Sequence, residues 1–433
     1  METPEILEIL ADWNFWKGTR DTGIERPVYL DALARLARTG QVVAVMGVRR
    51  SGKSTIMLQH IKRLIESGTD PKNILYVNFE DLRFGETDLA LLNKIWDIYL
   101  EHVLPSAKPF VFLDEIHKVA GWERFARTMH ELGKAQVFVS GSNTGLMSGR
   151  LASVLTGRHL DLSVSPLDFG EFLLFRGIHA AESAGLAAQR HKIRSLFNEY
   201  LEHGGFPLVC LSEAKKEILS QYFEDIINKD IVENYRVSNV QKLRSLSKFY
   251  LSNAARRVSF NGIARSFHIS LSTVERYSHY MQEAYLLHFI KKFSPSVKEQ
   301  ERTMGVVYVA DNGIMNVLGF KLSEDLGWAC QNTVANHLIR KHGGGNIFYW
   351  AGVSGEEVDF VVKDGEKVGS LIQVCYDIGS PKTKDREMKA LIKAGKELRC
   401  SRLFVLSDSY EGEENIGRTK IVFKPLWKWL LGF

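Results

Sequence analysis

One segment constrains this chain more than any other: Gly47-Val48-Arg49-Arg50-Ser51-Gly52-Lys53-Ser54. It fits G-x-x-x-x-G-K-[ST]. It also stands between a short apolar run, Val42–Met46, and a helical stretch that begins at Thr55. The order carries the chemistry. Glycines let the backbone wrap closely around phosphate, and the helix N-terminus that follows adds partial positive charge. Lys53 is placed for the β- and γ-phosphates of ATP and the Ser54 hydroxyl for Mg²⁺. Residues 47–55 together, Thr55 included, form the candidate cradle.

A second apolar run, Phe110–Leu113, ends in Asp114-Glu115 about 60 residues later, with a further strand between. Asp114 is read as holding Mg²⁺ through water and Glu115 as the general base that polarises the attacking water. An intact Glu115 argues for hydrolysis rather than binding alone. A third run, Val137–Ser140, leads into Gly141-Ser142-Asn143. Asn143, and after it Ser142, is the candidate for sensing the γ-phosphate, with ordinary turn chemistry as the alternative. Arg150 and Arg158 follow. Arg158 is preferred as the arginine that stabilises transition-state charge, in cis or from a neighbouring subunit, against a plain surface role.

With Ile74–Phe79 and Leu160–Val164, these runs read as strands buried on both faces. Helical stretches such as Thr55–Glu66 and Leu89–Val103 separate most of them, so the expected fold is α/β with a mostly parallel sheet. The chain has 433 residues, enough for about three domains. Its 45% hydrophobic and 25% charged residues exclude a disordered, collagenous or low-complexity chain. Cys210, Cys330, Cys375 and Cys400 lie far apart, without a CxxC pair, and read as free thiols rather than a zinc site. Glu2, Glu5 and Glu8 stand where an export signal needs positive charge, and no uncharged apolar run is long enough to span a bilayer. The expected location is cytoplasmic, with no membrane partner.

Several segments together resemble a widespread archaeal and bacterial family that joins an AAA-type P-loop ATPase to a C-terminal domain of unknown function. They are Trp13-Asn14-Phe15-Trp16, Arg26-Pro27, Tyr29-Leu30-Asp31, the GVRRSGKST loop, Tyr76–Phe84, Phe112–Phe125, Val139–Ser148 and Ser165–Leu173. The resemblance implies an AAA-like sheet with an extra strand between the P-loop strand and the Asp114 strand. It also implies ATP and Mg²⁺ at residues 47–55 and at Asp114-Glu115.

Charge distribution says more than the total of +5. Residues 241–302 hold eleven Lys and Arg against four acids, a net of +7, which leaves −2 for the rest. Within this segment a helix containing Ile263-Ala264, a turn near His268–Ser270 and a helix over Thr273–Met281 capped by Ser272 have helix-turn-helix spacing. Tyr285–Phe293 and Gly305–Val309 are then expected to pair as a wing, and the family resemblance also implies a winged helix. Ser272, Thr273, Glu275, Arg276 and His279 are the exposed candidates on the second helix. Arg256, Arg257, Arg265, Lys291 and Lys292 are candidates for phosphate contact. A lid or protein adaptor role is the alternative.

Ile347–Gln373 has the outline of a PD-(D/E)xK nuclease-like core, and family members resemble that fold here. Asp359 takes the first acidic position. The ExK position reads Gln373-Val374-Cys375, so the acid and the lysine are both missing, and the upstream helical acid is replaced at Gln331-Asn332. Metal-assisted cleavage needs those groups, so an inactive relic is expected. By alternation Glu357 shares the face of Asp359 and Glu356 does not.

The expected organisation is a lead-in segment at 1–40, a P-loop ATPase domain at 41–187, a helical and winged-helix domain at 188–303 and a nuclease-like domain at 304–433. The expected function is Mg²⁺-dependent ATP hydrolysis, acting on double-stranded DNA or DNA-bound complexes. The alternatives are a nucleotide-dependent regulatory switch with protein partners and, behind it, an active nuclease. A trans-acting arginine would require a homo-oligomer.

Overall fold

Strand β1, Val42–Met46, is buried at all five residues because both of its faces are covered. Alternation sorts its side chains. Val42, Ala44 and Met46 join one apolar cluster with residues of the helices Thr3–Trp13, Leu89–Ile98 and Trp122–Glu131, while Val43 and Val45 join a second with the helices Pro27–Ala37 and Lys53–Glu66. The computed structural model describes residues 1–142, 155, 157–179, 189–303, 305–320, 326–376, 378, 381–417 and 419–433. They fall into two units: Met1–Val164 with Glu283–Tyr285, and Ser165–Gln282 with Leu286–Phe433.

In the first unit, β2 (Ile74–Asn78), β3 (Phe110–Asp114), β4 (Gln136–Gly141) and β5 (His159–Ser163) join β1 in the order β2-β3-β4-β1-β5. Every pairing is parallel. β4 is the extra strand expected between the P-loop strand and the Asp114 strand. The outer edge of β2 is capped by the Trp13–Trp16 motif. The Asn14 amide donates to Tyr76 O at 2.9 Å and accepts from Tyr76 N at 2.7 Å, and Trp16 Nε1 donates to Ile74 O at 2.9 Å. Side-chain capping of this kind blunts a sheet edge that would otherwise invite pairing.

The second unit opens with the Ser165–Leu173 motif, which the sequence placed at the end of the ATPase domain. The helix Phe169–Phe175 is started by a capping box between Asp168 and Glu171, and Arg340 Nη1 sits 2.6 Å from Glu171 Oε2 and 3.2 Å from Asp168 Oδ2. The motif therefore packs with the C-terminal half of the chain, and the first unit closes at Val164. The helices Arg190–His203, Lys215–Asp225 and Val240–Ser252 follow, then β6 (Arg256–Val258), the helices Phe260–Phe267 and Leu271–Glu283, β7 (Leu287–Lys292) and β8 (Gly305–Val309). Ser270 rather than Ser272 caps the second of these two helices, since Ser270 Oγ accepts from Thr273 N at 3.2 Å.

After the helix Gly327–His342 come β9 (Ile347–Ala351), β10 (Glu357–Asp364), β11 (Lys367–Val374), β12 (Leu403–Ser407), β13 (Gly412–Ile416) and β14 (Thr419–Pro425). Among the described residues one sheet runs β13-β14-β12-β11-β10-β9-β7-β8-β6. β7 joins β9 in parallel through Lys291↔Phe348 and Lys292↔Tyr349. The divide expected at 303/304 thus falls within one sheet. The four cysteines are free and buried. Among the described residues no helix is long and apolar enough to cross a membrane.

A tight interlock fixes the helical part of this unit. Asp311 is buried and accepts from Gly205 N at 2.6 Å and Gly313 N at 2.8 Å. Burial pushes its carboxyl up to about 6, against the pull of those N–H groups. A Cβ on Gly204, at φ +75°, would meet Asp311 Oδ1 at 2.0 Å, and one on Gly205 would meet Leu167 O at 2.2 Å. We expect Gly204→Ala and Gly205→Ala each to lower stability by about 2–4 kcal/mol. Gly345→Ala, in open space and without a positive φ, should change stability by about 1 kcal/mol or less. Urea unfolding of the three variants checks the contrast.

Candidate functional site

The parallel register brings the carboxyl ends of β1, β3 and β4 to one edge, and the phosphate-loop motif starts there. Gly47 has φ +148°, and a Cβ on it would meet Val164 O at 2.0 Å, so only glycine fits. Arg50 and Gly52 also take positive φ, at +69° and +99°, which closes the loop onto the helix Lys53–Glu66. Val48, Arg49 and Ser51 are buried, Ser54 is half-buried, and Arg50 and Thr55 are exposed. The Lys53 ammonium donates to Gly47 O at 3.1 Å and Val48 O at 3.3 Å, which keeps it inside the loop. Ser51 Oγ is buried without a hydrogen-bond partner.

Arg26 braces this loop from behind. Its guanidinium donates to Ser51 O at 2.8 Å and lies 4.4 Å from the Tyr29 ring centre. Gln59, fully buried, donates to Thr22 O and Ile24 O at 2.8 Å and so ties the segment around Arg26 to the loop helix.

Asp114 and Glu115 stand at the end of β3, as expected. Asp114 is held from both sides: Tyr76 OH donates to Oδ2 at 2.6 Å from β2, and Ser140 Oγ donates to Oδ1 from β4. Ser140 Oγ also accepts from Glu115 N at 2.9 Å. One hydroxyl therefore holds the Asp114 carboxylate and the Glu115 backbone together. Glu115 has φ +52°, a left-handed conformation that a non-glycine residue adopts at a cost of about 1–3 kcal/mol and that recurs at functional sites. Burial pushes its carboxyl up to about 7, with Lys53 pulling down and Asp114 pushing up. Glu115 Oε2 has no hydrogen-bond partner. His117 Nδ1 lies 3.3 Å away but is not aligned for a hydrogen bond. Burial holds that imidazole down to about 4, so the contact is not an ion pair at neutral pH.

Glu80, just beyond β2, pairs with Arg49 at 3.3 Å and Lys118 at 3.5 Å. Burial pushes its carboxyl up, but the two cations outweigh it and hold Glu80 below the usual range. The loop arginine is thereby fixed beside the Glu115 site. The donor set suits Mg²⁺: a hydroxyl at Ser54 and a carboxylate at Asp114 are hard oxygen ligands. Both Asp114 oxygens already accept a protein hydrogen bond, which fits a hold through water.

Ser142 is fully buried at the end of the same strand run. Asn143 and Arg150 lie outside the described residues. Arg158 does not reach this site from within the chain. Its carbonyl accepts from Val42 N at 3.0 Å, so it precedes β5 at the amino-terminal edge of the sheet, about 15 Å along the strands from the loop. Its side chain pairs with Glu131 at 3.1 Å. The cis role is corrected by this strand order.

A second constellation lies in the other unit. Gln331 Nε2 donates to Asp359 Oδ1 at 3.1 Å, Asp359 N donates to Gln373 Oε1 at 3.1 Å, and Val374 N donates to Asp359 Oδ2 at 2.8 Å. The three positions singled out in the sequence do come together. Asn332 instead binds the Val309 backbone. Cys375 packs into the apolar core with Met388 and Leu391. Gln373 Nε2 also donates to Glu387 Oε2 at 2.6 Å, a carboxylate the sequence did not single out. Burial pushes Asp359 up to about 7, the Val374 N–H pulling down and Glu387 pushing up. Among the described residues no group of three or more His, Cys, Asp or Glu is placed to hold a metal.

The nucleic-acid candidates divide. Arg265, Ser272 and Arg276 are exposed and Thr273 is half-buried on the two helices, with Glu275 and His279 also exposed. Lys291 is half-buried and Lys292 pairs with Glu299 at 3.1 Å. Arg256 and Arg257, on β6, lie instead with Trp328 and Tyr349. Arg257 pairs with Glu357 at 2.9 Å, and Glu356 with Lys393 at 2.7 Å.

A family model described as an AAA domain, AAA_14, matches residues 39–173, and one described as a domain of unknown function, DUF8612, matches residues 194–325. An uncharacterized protein of Methanocaldococcus jannaschii is 31% identical over 409 residues, which span 91% of this chain and 89% of that one. The chain belongs to the AAA_14 family of P-loop ATPase proteins. An uncharacterized Haemophilus influenzae protein is 27% identical over 364 residues, spanning 82% of this chain and 87% of its own length. Among solved structures, a Walker-type ATPase of Pyrococcus abyssi aligns with 68% of this chain and 96% of its own at 12% identity, with a TM-score of 0.47, a likeness too slight to argue from. The AAA_14 match takes in the phosphate loop, Asp114, Glu115, Tyr76 and Ser140.

Tyr76, Glu80 and His117 belong to the segments that carried the family resemblance, as does Arg26; their roles needed the fold. We expect Ser140→Ala to lower kcat for ATP hydrolysis by about 10–100-fold while leaving ATP affinity nearly unchanged, because it frees the Asp114 carboxylate and the Glu115 backbone without touching the phosphate loop. Steady-state kinetics with a binding titration checks the split.

Proposed function

We propose that this AAA_14 protein is a Mg²⁺-dependent ATPase that acts on double-stranded DNA or DNA-bound complexes. The observation that carries the ATPase reading is the joint orientation of Asp114 and Glu115 by Ser140, beside a closed phosphate loop. Lys53 and the loop backbone bind the β- and γ-phosphates, as they do in loops of this motif. Ser54 and Asp114 are the residues for Mg²⁺, which when bound neutralises developing phosphate charge. Glu115 takes a proton from the attacking water, and its unpartnered Oε2 is the atom for that step. Arg49, held by Glu80, adds positive charge beside it.

The DNA reading rests on the net charge of +7 over residues 241–302. It rests also on two helices separated by a turn at His268 and followed by the antiparallel pair β7–β8, the arrangement of a winged helix. Arg265 and Arg276 present exposed cations there. The nine-stranded sheet with Gln331, Asp359 and Gln373 is read as a nuclease-like relic without cleavage activity. Arg158, turned away from its own phosphate loop, is read as acting from a neighbouring subunit of a homo-oligomer.

Two outcomes follow. A general base works in its ionised form, so kcat/KM for ATP should fall as pH drops below about 7, where burial places Glu115. A pH series of initial rates checks this. Duplex DNA should raise the hydrolysis rate, and the stimulation should fade with added salt because phosphate contacts carry it. Hydrolysis indifferent to DNA would favour a nucleotide-dependent switch with protein partners.

A further inference from the structure

The Asp359 centre opens into a cleft of about 280 Å³ whose lining sets two arginines against two carboxylates. The cleft is formed by β6, β8, β9 and β10, and Arg256, Arg257, Tyr308, Tyr349, Glu357 and Asp359 line it. Arg256 and Arg257 come from a strand of three residues at the sheet edge, far in sequence from Asp359, yet both face the same space.

Both guanidinium groups are stacked. Arg256 lies 3.9 Å from the ring centre of Trp328 and Arg257 4.8 Å from that of Tyr349. Stacking occupies the flat faces and leaves the N–H edges for in-plane partners. Arg257 uses part of its edge on Glu357 Oε1 at 2.9 Å, a carboxylate that is 54% exposed. Exposed pairs of that kind are weak, so Glu357 is an easily displaced partner. Arg256 has no ion-pair or side-chain hydrogen-bond partner among the described residues. A paired guanidinium fork suits phosphate because two parallel N–H groups match two phosphate oxygens.

The floor of the cleft fits the same ligand. A metal-dependent centre would carry carboxylates at 331 and 373, and without a metal these would repel a phosphate. Here both positions are neutral amides: Gln331 Nε2 donates to Asp359 Oδ1, while Gln373 Oε1 accepts from Asp359 N and Gln373 Nε2 donates to Glu387 Oε2. Burial also raises the Asp359 carboxyl to about 7, so it carries less than a full charge at neutral pH.

We propose that this cleft is a phosphate-binding site in which Arg256 and Arg257 grip a phosphate of bound DNA, while the neutral amides of Gln331 and Gln373 around Asp359 add no further negative charge behind it. This rests on the DNA-acting reading and locates its contact. The chemistry is that of a phosphate group, and its source is DNA rather than free phosphate because the cleft borders the segment of net charge +7.

The test uses the full chain, a short labelled duplex and a salt series read by fluorescence anisotropy. The double variant Arg256→Gln/Arg257→Gln should bind about tenfold more weakly, with a log–log salt slope shallower by about one, since the two arginines share one phosphate. Glu357→Gln, which frees Arg257, should bind a few-fold more tightly. Arg276→Gln serves as the comparison on the helix Leu271–Glu283. Duplex binding that is unchanged in the double variant but weakened by Arg276→Gln overturns the cleft and leaves the DNA reading standing. No duplex binding by the unaltered chain overturns the DNA reading and with it DNA as the source. In that case inorganic phosphate decides the cleft: a rise in Tm abolished in the double variant retains phosphate chemistry, and an equal or absent rise overturns it. Tm without phosphate shows whether the double variant folds.

Discussion

The hydroxyl of Ser140 is the contact on which the nucleotide site depends. It donates to Asp114 and accepts from the backbone of Glu115, so it fixes the Asp114 carboxylate and the main chain that carries Glu115. It can do so only because β3 and β4 are parallel neighbours in a fixed register, with Leu113 beside Val139. The Tyr76 hydroxyl completes the hold from β2, where Asn78 lies beside Asp114. A slip of one residue would turn Ser140 or Tyr76 to the opposite face of the sheet. The apolar runs of β1, β3 and β4, buried on both faces, specify that register and thereby the chemistry at its end.

The second unit is organised around a different constraint, the close approach of backbone at Gly204, Gly205 and Gly313. Asp311 fills the space that a side chain on Gly204 would need, and its buried carboxylate accepts from the N–H groups of Gly205 and Gly313. This ties the helix Arg190–His203 to the strand-and-helix part of the unit. The same unit builds one sheet from strands on either side of the residues Val297–Arg302, so the helix pair and the Asp359 centre share a frame. That sharing brings Arg256 and Arg257, from the basic segment, to the edge of the centre.

Much of this was legible in the sequence, for definable reasons. The phosphate loop and Asp114-Glu115 are read from local order, a buried strand followed at once by its functional residues. Gln331 and Gln373 were singled out with Asp359 through the family resemblance, and the structure brings the three side chains together. Contacts made across strands were not legible. Ser140 looked like the last residue of a strand and Arg26 like part of a lead-in segment, and nothing singled out Glu387. Arg158 misled because strand order, not sequence distance, decides which end of the sheet it occupies. Ser272 misled because Ser270, two residues earlier, makes the same capping contact. The Ser165–Leu173 motif followed the ATPase strands in sequence, but its carboxylates pair with Arg340, so it packs with the other unit.

The central claim is that Glu115, oriented by Ser140, drives ATP hydrolysis at a site that binds nucleotide without it. The most direct measurement is Mg²⁺-dependent ATP turnover by the full chain and by Glu115→Gln, with ATP affinity measured for both. The account predicts that Glu115→Gln binds ATP about as tightly as the unaltered chain and loses turnover by roughly 100-fold or more. Normal turnover in Glu115→Gln would contradict it.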